Sequence, residues 1–154
     1  MLSTLHTYDA ASTVIRLVDM GIEPFMVSSA VIGVVAQRLV RTLCPNCREA
    51  YKPDESELRL LGLNPSSNIR LYRAKGHGCT LCGGKGYRGR MAIHEVMPVT
   101  NTIKRLINTN ASVDDIRTAA LSGGMIPMDE NLKRIVIDGR TSLNEIANLY
   151  AQAF

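Results

Sequence analysis

Two pairs of cysteines in C-x-x-C spacing constrain the fold of this chain more than any other feature. Cys44 and Cys47 form the first pair, and Cys79 and Cys82 form the second after 31 intervening residues. A C-x-x-C turn directs two sulfurs at one point, and two such turns facing each other complete a tetrahedron around zinc, with Zn–S distances of about 2.3 Å. The spacing therefore predicts a structural zinc site.

The residues that follow the cysteines support the same interpretation. Pro45 stiffens the first turn, and Gly83 and Gly84 follow the second. We expect the two glycines to let backbone N–H groups approach the sulfurs and stabilise thiolate charge. Such a site would hold together a segment that has little apolar core of its own.

Other cysteine chemistries fit the pattern less well. A thioredoxin-type redox site uses one C-x-x-C beside a βαβ pattern, which this sequence lacks. A rubredoxin-like iron centre shares the two-turn spacing, but the sequence offers no aromatic-rich core around it. A catalytic zinc needs an open coordination position, and four thiolates leave none. His77 and His94 could each replace a ligand, although a complete set of cysteines makes that unnecessary.

The first third of the chain predicts one strand and two helices. Residues 1–7 are typical of a short strand, and residues 9–21 of a helix that ends at Gly21. Residues 24–43 fit a longer helix that is apolar nearly all round. A helix of that kind has to be buried against another element.

The remainder predicts short elements and then a helical cluster. A capping box of Asp54 and Glu57 begins a short helix over 54–62, and strands are expected at 68–73 and 90–97. Helix starts are then expected at four positions. They are marked by Thr100, Ser112, Pro127 and the pair Ser142 and Glu145.

These patterns together predict an α/β fragment, a small zinc-ribbon-like subdomain and a mostly α-helical C-terminal part. The expected boundaries are 1–43, 44–90 and 91–154. The longest uncharged run, residues 24–37, is shorter than the roughly 20 apolar residues that span a bilayer. The N-terminus lacks the layout of a secretory signal, so a cytoplasmic location is expected.

The stretch "GGKGYRG" invites comparison with a phosphate-binding loop, but the pattern fails. A Walker A motif needs G-x4-G-K followed by Ser or Thr. Counting from Lys85 places Cys79 at the first glycine and Gly86 at the Ser/Thr position. The chain is therefore not expected to hydrolyse nucleotide unaided. His6 taken alone carries little information, because a single histidine near a terminus is usually solvated.

A nucleic-acid surface is the main alternative suggested by charge. Six cations and no acid lie between Arg70 and Arg90, with Tyr72 and Tyr87 among them, in a chain of formal charge +4. Cations interleaved with aromatic rings are typical of single-strand binding surfaces. The simpler interpretation is that these cations offset the thiolate charge and lie in solvent.

Several separate motifs resemble one family in that family's own order. They are "STLHT" (3–7), "DMGIEPF" (19–25), "AQRLVRTLCPNC" (36–47), "GYRGR" (86–90) and "AIHEV" (92–96). With these motifs the chain resembles the C-terminal part of the secretion and pilus-assembly ATPases, the hexameric motors of type II secretion and type IV pili. The resemblance covers essentially the whole chain and is strongest over 3–51 and 76–96.

The resemblance implies roles for individual segments and residues. Residues 1–43 look like the tail of a RecA-like ATPase core, 44–90 like its tetracysteine zinc-binding insertion, and 91–154 like its helical end. "STLHT" looks like the family's His box, with His6 facing the nucleotide γ-phosphate. Gln37 and Arg38 are placed near the nucleotide or in a structural role. The four cysteines match the zinc ligands.

The resemblance also implies what this chain lacks and what it would meet. The Walker A and Walker B regions of the family precede the His box, so ATP and Mg²⁺ would bind only in a full-length parent. The expected partners are other subunits of the motor ring and an inner-membrane platform protein, and no nucleic acid is expected. The location would be cytoplasmic, peripheral at the inner membrane through partners. A standalone zinc module that binds nucleic acid and a catalytically dead regulator of the motor remain alternatives.

Overall fold

The computed structural model describes residues 1–151, which form two compact units. Each unit is assembled from two separate stretches of chain. Met1–Arg38 and His94–Met128 form the first unit, and Leu39–Ile93 and the chain from Asp129 onward form the second. The division into 1–43, 44–90 and 91–154 remains a prediction.

Seven helices, four strands and one 3₁₀ turn occur in the described residues. In chain order they are α1 (Ala10–Asp19), α2 (Pro24–Ala30), β1 (Gly33–Leu43), β2 (Glu49–Tyr51), α3 (Glu55–Leu60), β3 (Leu71–Arg73), the 3₁₀ turn (Thr80–Cys82), β4 (Tyr87–Pro98), α4 (Asn101–Asn108), α5 (Val113–Ser122), α6 (Met128–Ile137) and α7 (Asn144–Ala151). None of these helices is long and apolar enough to cross a membrane.

The predicted strand at residues 1–7 is wrong, because this segment is neither helix nor strand. A strand needs a neighbour for its backbone N–H and C=O groups. Within residues 1–151, β1 pairs with β4 and β2 pairs with β3, and residues 1–7 join neither sheet. The apolar residues at the start, such as Leu2, are accordingly exposed.

The helix predicted at 9–21 is confirmed as α1. The Asp9 carboxylate caps it by accepting from the N–H of Ser12 at 2.7 Å. At the other end Gly21 has φ +89°, a left-handed conformation that glycine adopts without strain. Gly21 therefore lies just past the helix end, as its position in the sequence predicted.

The long helix predicted over 24–43 is wrong. α2 ends at Ala30, and β1 begins three residues later. β1 buries alternate side chains, with Ala36 and Val40 buried and Val35 and Leu39 more than half exposed. A run that is apolar on both faces carries no clear period, so it cannot distinguish a strand from a buried helix. The β-branched residues that follow Ala30 were the signal for a strand.

The strand predicted at 90–97 is confirmed as part of β4, which pairs with β1 in a two-stranded sheet. Within the first unit, the side chains of Gln37 on β1 and His94 on β4 form a hydrogen bond of 3.1 Å. Gly33 lies so close to β4 that an added Cβ would be 3.4 Å from the carbonyl oxygen of Met97. β3 lies within the strand predicted at 68–73 and pairs antiparallel with β2.

The apolar core of the first unit lies among the helices and the adjoining strand ends. α2 packs against α4, and α5 packs against both α1 and α4. The side chains at its centre are fully or almost fully buried. They are Val14, Met97, Ile103, Ile107 and Ile116.

The predicted helix starts of the remaining chain are largely confirmed. Asp54 and Glu57 form the capping box of α3, Thr100 caps α4, and Ser112 forms a capping box at α5. α6 begins directly after Pro127. α7 forms as predicted, but the two side chains expected to cap it make other contacts. Ser142 Oγ bonds the hydroxyl of Tyr87, and the Glu145 carboxylate binds Arg41.

Candidate metal centre

The four cysteine sulfurs form one cluster in the second unit. All four Sγ atoms lie within 4.8 Å of one another. Three Sγ–Sγ distances, Cys44 to Cys79, Cys47 to Cys82 and Cys79 to Cys82, are each 3.8 Å. Sulfurs at the corners of a regular tetrahedron with Zn–S bonds of about 2.3 Å would be about 3.8 Å apart. The described cysteines therefore have the chemistry and spacing to hold one metal ion.

The same distances exclude disulfides as the arrangement in this structure. A disulfide requires sulfurs about 2.05 Å apart. All four cysteines are free thiols. Two of the three 3.8 Å distances join sulfurs of different C-x-x-C pairs, and the third joins the two sulfurs of the second pair. The cluster is thus a shared four-thiol site rather than two redox pairs.

The first cysteine pair is positioned by the end of β1. Cys44 directly follows Leu43, and its backbone N–H donates to the carbonyl oxygen of Gly86 at 3.0 Å. The carbonyl of Cys44 in turn accepts from the N–H groups of Cys47 and Arg48. These bonds fold 44–48 into a tight turn beside the second pair.

The second pair is positioned by the 3₁₀ turn Thr80–Cys82. Cys79 precedes this turn, and its carbonyl oxygen accepts from the N–H groups of Cys82 and Gly84. Gly83 ends the turn in a left-handed conformation with φ +61°. Both cysteines therefore project from one compact loop, as the C-x-x-C spacing predicted.

Close backbone packing explains a further glycine in this loop. At Gly78, with φ +53°, an added Cβ would lie 2.5 Å from the carbonyl carbon of Gly84 and 2.8 Å from Cys82 Sγ. Such contacts are shorter than real Cβ atoms make, so a side chain here would displace a ligand sulfur. Gly78 carries no signal in the C-x-x-C pattern, and the sequence alone did not single it out.

Hydrogen bonds to sulfur come mostly from backbone N–H groups. Cys82 Sγ accepts from the N–H of Cys79 at 3.1 Å and from the N–H of Gly86 at 3.2 Å. The N–H groups of Gly83 and Gly84, the glycines expected to let the backbone approach the sulfurs, are not themselves these donors. Their N–H groups donate instead to the carbonyl oxygens of Thr80 and Cys79.

The environment makes the cysteines electrostatically unequal. The side-chain amide of Asn46, which lies 3.4 Å from Cys79 Sγ, together with the backbone bond to Cys82, lowers the pKa of Cys79 to about 6. The backbone N–H of Cys79 lowers the pKa of Cys82, whereas burial raises the pKa of Cys47 to about 12. The loop that carries 79–82 therefore favours thiolates, which are the form that binds metal.

Two arginine–tyrosine pairs surround the cluster within the second unit. Arg41 lies over the ring of Tyr87 at 4.2 Å, and Arg48 lies over the ring of Tyr72 at 4.4 Å. Arg48 also donates to the carbonyl oxygen of Gly139. The Arg48 bond fastens the first cysteine turn to the segment that joins α6 to α7. The sequence did not indicate these contacts, because each pair joins residues far apart in the chain.

His6 and Arg38 belong to the first unit, whereas the four cysteines belong to the second. The side chain of His6 is exposed. Arg38 Nη2 donates to the carbonyl oxygen of Thr7 at 3.3 Å, and its guanidinium lies 5.4 Å from the centre of the Tyr8 ring. The structure thus brings Arg38 to the segment that directly follows His6.

Comparison with known proteins identifies the family. The sequence profile of the Type II/IV secretion system protein family matches residues 1–148. The chain belongs to this family. The resemblance inferred from the motifs is thereby confirmed.

Relatives within the Type II/IV secretion system protein family include proteins of both systems. The chain is 44% identical over 146 residues to type II secretion system protein E of Pseudomonas aeruginosa, which covers 95% of this chain and 28% of that protein. It is 44% identical over 148 residues to the type IV pilus assembly ATPase PilB of Thermus thermophilus, covering 95% and 16%. It is 43% identical over 146 residues to the type II secretion system ATPase E of Vibrio cholerae, which covers 95% of this chain and 28% of that protein. The chain therefore spans less than a third of these curated relatives.

Proposed function

We propose that this chain is the C-terminal segment of a hexameric motor ATPase that powers type II secretion or type IV pilus assembly. The observation that carries the proposal is identity of 43–44% over 95% of the chain to proteins named as type II secretion and type IV pilus ATPases. The sequence contains no Walker A motif. The segment alone is therefore expected not to hydrolyse ATP.

In this proposal the four cysteines hold a structural zinc ion. Cys44, Cys47, Cys79 and Cys82 supply four thiolates, so no coordination position remains for a substrate. Zinc supplies folding free energy, on the order of 10–16 kcal/mol in isolated finger peptides. Its role here is to hold two loops together at the edge of the second unit, in a region whose strands β2 and β3 have only three residues each.

His6 contributes to the nucleotide site of the motor in this proposal. The imidazole is exposed, and the segment that follows it is held by other parts of the first unit. ATP and Mg²⁺ would be bound chiefly by the Walker regions of a full-length parent. We assign Arg38 to the same neighbourhood, since it contacts the backbone of Thr7.

The partners proposed are neighbouring subunits of the ring and an inner-membrane platform protein. The motor would work in the cytoplasm and reach the inner membrane through those partners. A nucleic-acid role is weakened by the contacts of the two tyrosines on which it depended. Tyr72 and Tyr87 each have an arginine over the ring, which covers one of the two faces on which a base could stack.

The proposal can be tested on the native product. An antibody against residues 44–154 would isolate it from the cells that make it, and the product would be sized and assayed for zinc and ATP hydrolysis. We expect a protein several times longer than 154 residues that carries zinc and hydrolyses ATP. A zinc-bearing product of 154 residues that joins a motor ring without hydrolysing ATP would overturn the proposal in favour of the regulator.

A separate experiment tests the role of His6. His6→Ala in the native product should lower ATP turnover about 10²-fold, the usual cost of removing one group that stabilises developing charge. His77→Ala is the matched control, because His77 is also exposed but lies beside the cysteine loop. Equal turnover in both variants would remove His6 from the nucleotide site.

A further inference from the structure

Residues 7–10 connect His6 to α1 and are contacted by three side chains from distant parts of the first unit. Arg38 comes from β1, Glu95 from β4 and Arg117 from α5. Each of them reaches a different residue of this short segment. Before Ala10 the segment is neither strand nor helix. These side-chain contacts therefore hold it in the absence of the backbone hydrogen bonds that a strand would make with a neighbouring strand.

Glu95 is the most buried of the three and links two helix starts. Its side chain is almost fully buried, with the residue 2% exposed. Oε1 accepts from the N–H of Ala10 at 3.0 Å, and Oε2 accepts from the N–H of Met128 at 3.3 Å. These are the first residues of α1 and α6, whose free N–H groups and dipoles favour a negative charge. One carboxylate thus serves two helices.

Asp9 is held from both sides of its carboxylate. Oδ1 accepts from the N–H of Ser12 and caps α1, and Oδ2 is paired with Arg117 Nη2. Asp9 is 5% exposed, so this ion pair is largely shielded from solvent on the acid's side. Loss of Arg117 would leave the buried carboxylate of Asp9 charged and without its ion-pair partner. The contact is therefore specific to this pair.

Arg38 completes the set at Thr7 and Tyr8. Besides the bond to the Thr7 carbonyl, its guanidinium lies over the Tyr8 ring. Its Nε is buried and has no hydrogen-bond partner among the described residues. The orientation of the guanidinium is therefore set by the segment 7–8, which is directly next to His6.

We propose that Arg38, Glu95 and Arg117 are positioning residues that fix residues 7–10 and thereby set the place of the His6 imidazole. The set spans the chain from position 38 to position 117, so His6 is placed by tertiary contacts rather than by its own local backbone. This inference rests on the proposed function only for what His6 would face. It assigns Arg38 to orienting the His6 segment instead of touching the nucleotide.

The first test measures backbone order in the ¹⁵N-labelled chain by NMR relaxation. In the unsubstituted chain we expect order parameters near 0.85 for Tyr8, Asp9 and Ala10, and in Arg38→Ala values below about 0.6 for Thr7 and Tyr8. Glu95→Gln should loosen one of Ala10 and Met128, because the amide oxygen can replace only one of the two acceptors and the amide nitrogen cannot accept. Order in α4 should not change in either variant, which separates a local effect from general unfolding.

Matched variants keep the test sharp. Arg59→Ala is the control, since Arg59 is an exposed arginine whose one ion pair within residues 1–151 is with a neighbour four residues away on α3. Arg38→Lys keeps the charge but lacks the planar guanidinium, so it should restore order only in part. It also serves if Arg38→Ala fails to fold. Unchanged order at Thr7 and Tyr8 in both Arg38 variants would overturn the inference.

A second readout follows the His6 side chain itself. The chain has three histidines, and the Cε1–H signal of each can be assigned by substitution. We expect the His6 signal to lie away from the random-coil position and to move toward it in Arg38→Ala and Arg117→Ala, while that of His77 stays in place. A His6 signal at the random-coil position in the unsubstituted chain would overturn the inference. Neither readout needs nucleotide, so this result is independent of the ATP turnover test.

Discussion

Glu145 and Arg41, 104 residues apart in sequence, are joined by three hydrogen bonds. Glu145 Oε1 accepts from Nε and Nη2 of Arg41 at 2.9 and 2.7 Å, and Oε2 accepts from the Arg41 backbone N–H at 2.8 Å. Thr141 Oγ1 donates to the carbonyl oxygen of Arg41 at 2.6 Å. Arg41, near the end of β1, thus has hydrogen-bond partners for its backbone N–H, its backbone C=O and its side chain. All of them come from Thr141 and Glu145, at the start of α7.

Removing the charge at this contact should destabilise the second unit. In Glu145→Gln the neutral amide cannot accept all three bonds, and we expect the free energy of unfolding to fall by about 1.5–3 kcal/mol, the usual range for hydrogen bonds to charged groups. Glu145 is 4% exposed, so solvent does little to compensate. Thermal or urea unfolding of the zinc-loaded chain would measure the difference.

The control for that variant is Glu55→Gln. Glu55 pairs with Arg59 on the surface of α3, with side chains 73% and 69% exposed. Exposed pairs of this kind contribute about 0.3–0.5 kcal/mol. Equal losses in the two variants would mean that the contact between the buried Glu145 and the half-exposed Arg41 has no special role.

Cys79→Ser should abolish zinc binding and unfold the region 44–90. Serine lacks the thiolate, and three cysteines cannot complete the tetrahedron. Metal content after dialysis would measure binding, and the amide spectrum of 44–90 would report folding. Thr80→Ala is the control, because Thr80 is an exposed residue of the same turn. Unchanged zinc content in Cys79→Ser would remove the four-cysteine assignment.

Gly78→Ala should weaken zinc binding without removing a ligand. The new Cβ would meet the Gly84 backbone and Cys82 Sγ, and the positive φ adds roughly 1–2 kcal/mol of backbone cost. Together these should lower zinc affinity at least about tenfold, which corresponds to 1.4 kcal/mol. Competition with a chromophoric chelator would measure the change.

Gly76 provides the matched comparison for that variant. A Cβ added there would meet nothing within 4 Å, and its φ is not positive. Gly76→Ala should therefore bind zinc as the unsubstituted chain does. If both alanine variants lose affinity equally, flexibility of the loop rather than the close contact at Gly78 is responsible.

The core of the first unit can be tested with two adjacent residues of β4. Met97 is fully buried, and Met97→Ala should lower the free energy of unfolding by about 2–5 kcal/mol through lost contacts and a cavity. Val96 points to the other face of the strand and is 52% exposed, so Val96→Ala should cost less than about 1 kcal/mol. Thermal or urea unfolding would measure both losses of free energy. A larger loss in Val96→Ala than in Met97→Ala would contradict the assigned faces of β4.

Local signals predicted much of the secondary structure and the metal cluster. Caps at Asp54, Thr100 and Ser112 lie where the sequence placed them, because a cap depends on residues only three positions apart. The cysteine cluster followed from spacing for a similar reason. Each C-x-x-C turn is local, and sulfur chemistry leaves few ways to combine two of them.

The errors fall where the conformation depends on a distant partner. Residues 33–43 form β1 because β4 supplies the matching backbone groups, and nothing within the run itself distinguishes this from a buried helix. Residues 1–7 have the composition of a strand but are paired with none of the strands in the described chain.

By itself the sequence determined the family, the cluster of four cysteines and most helix starts, since each depends on neighbouring residues or on a side chain's own chemistry. Only the tertiary structure decided which residues support those ligands and which hold the segment after His6. Arg41 with Glu145, and Glu95 with Ala10 and Met128, are pairings across long stretches of chain. A hydrogen bond of that kind exists only once folding has brought its two ends together, and no local pattern records it.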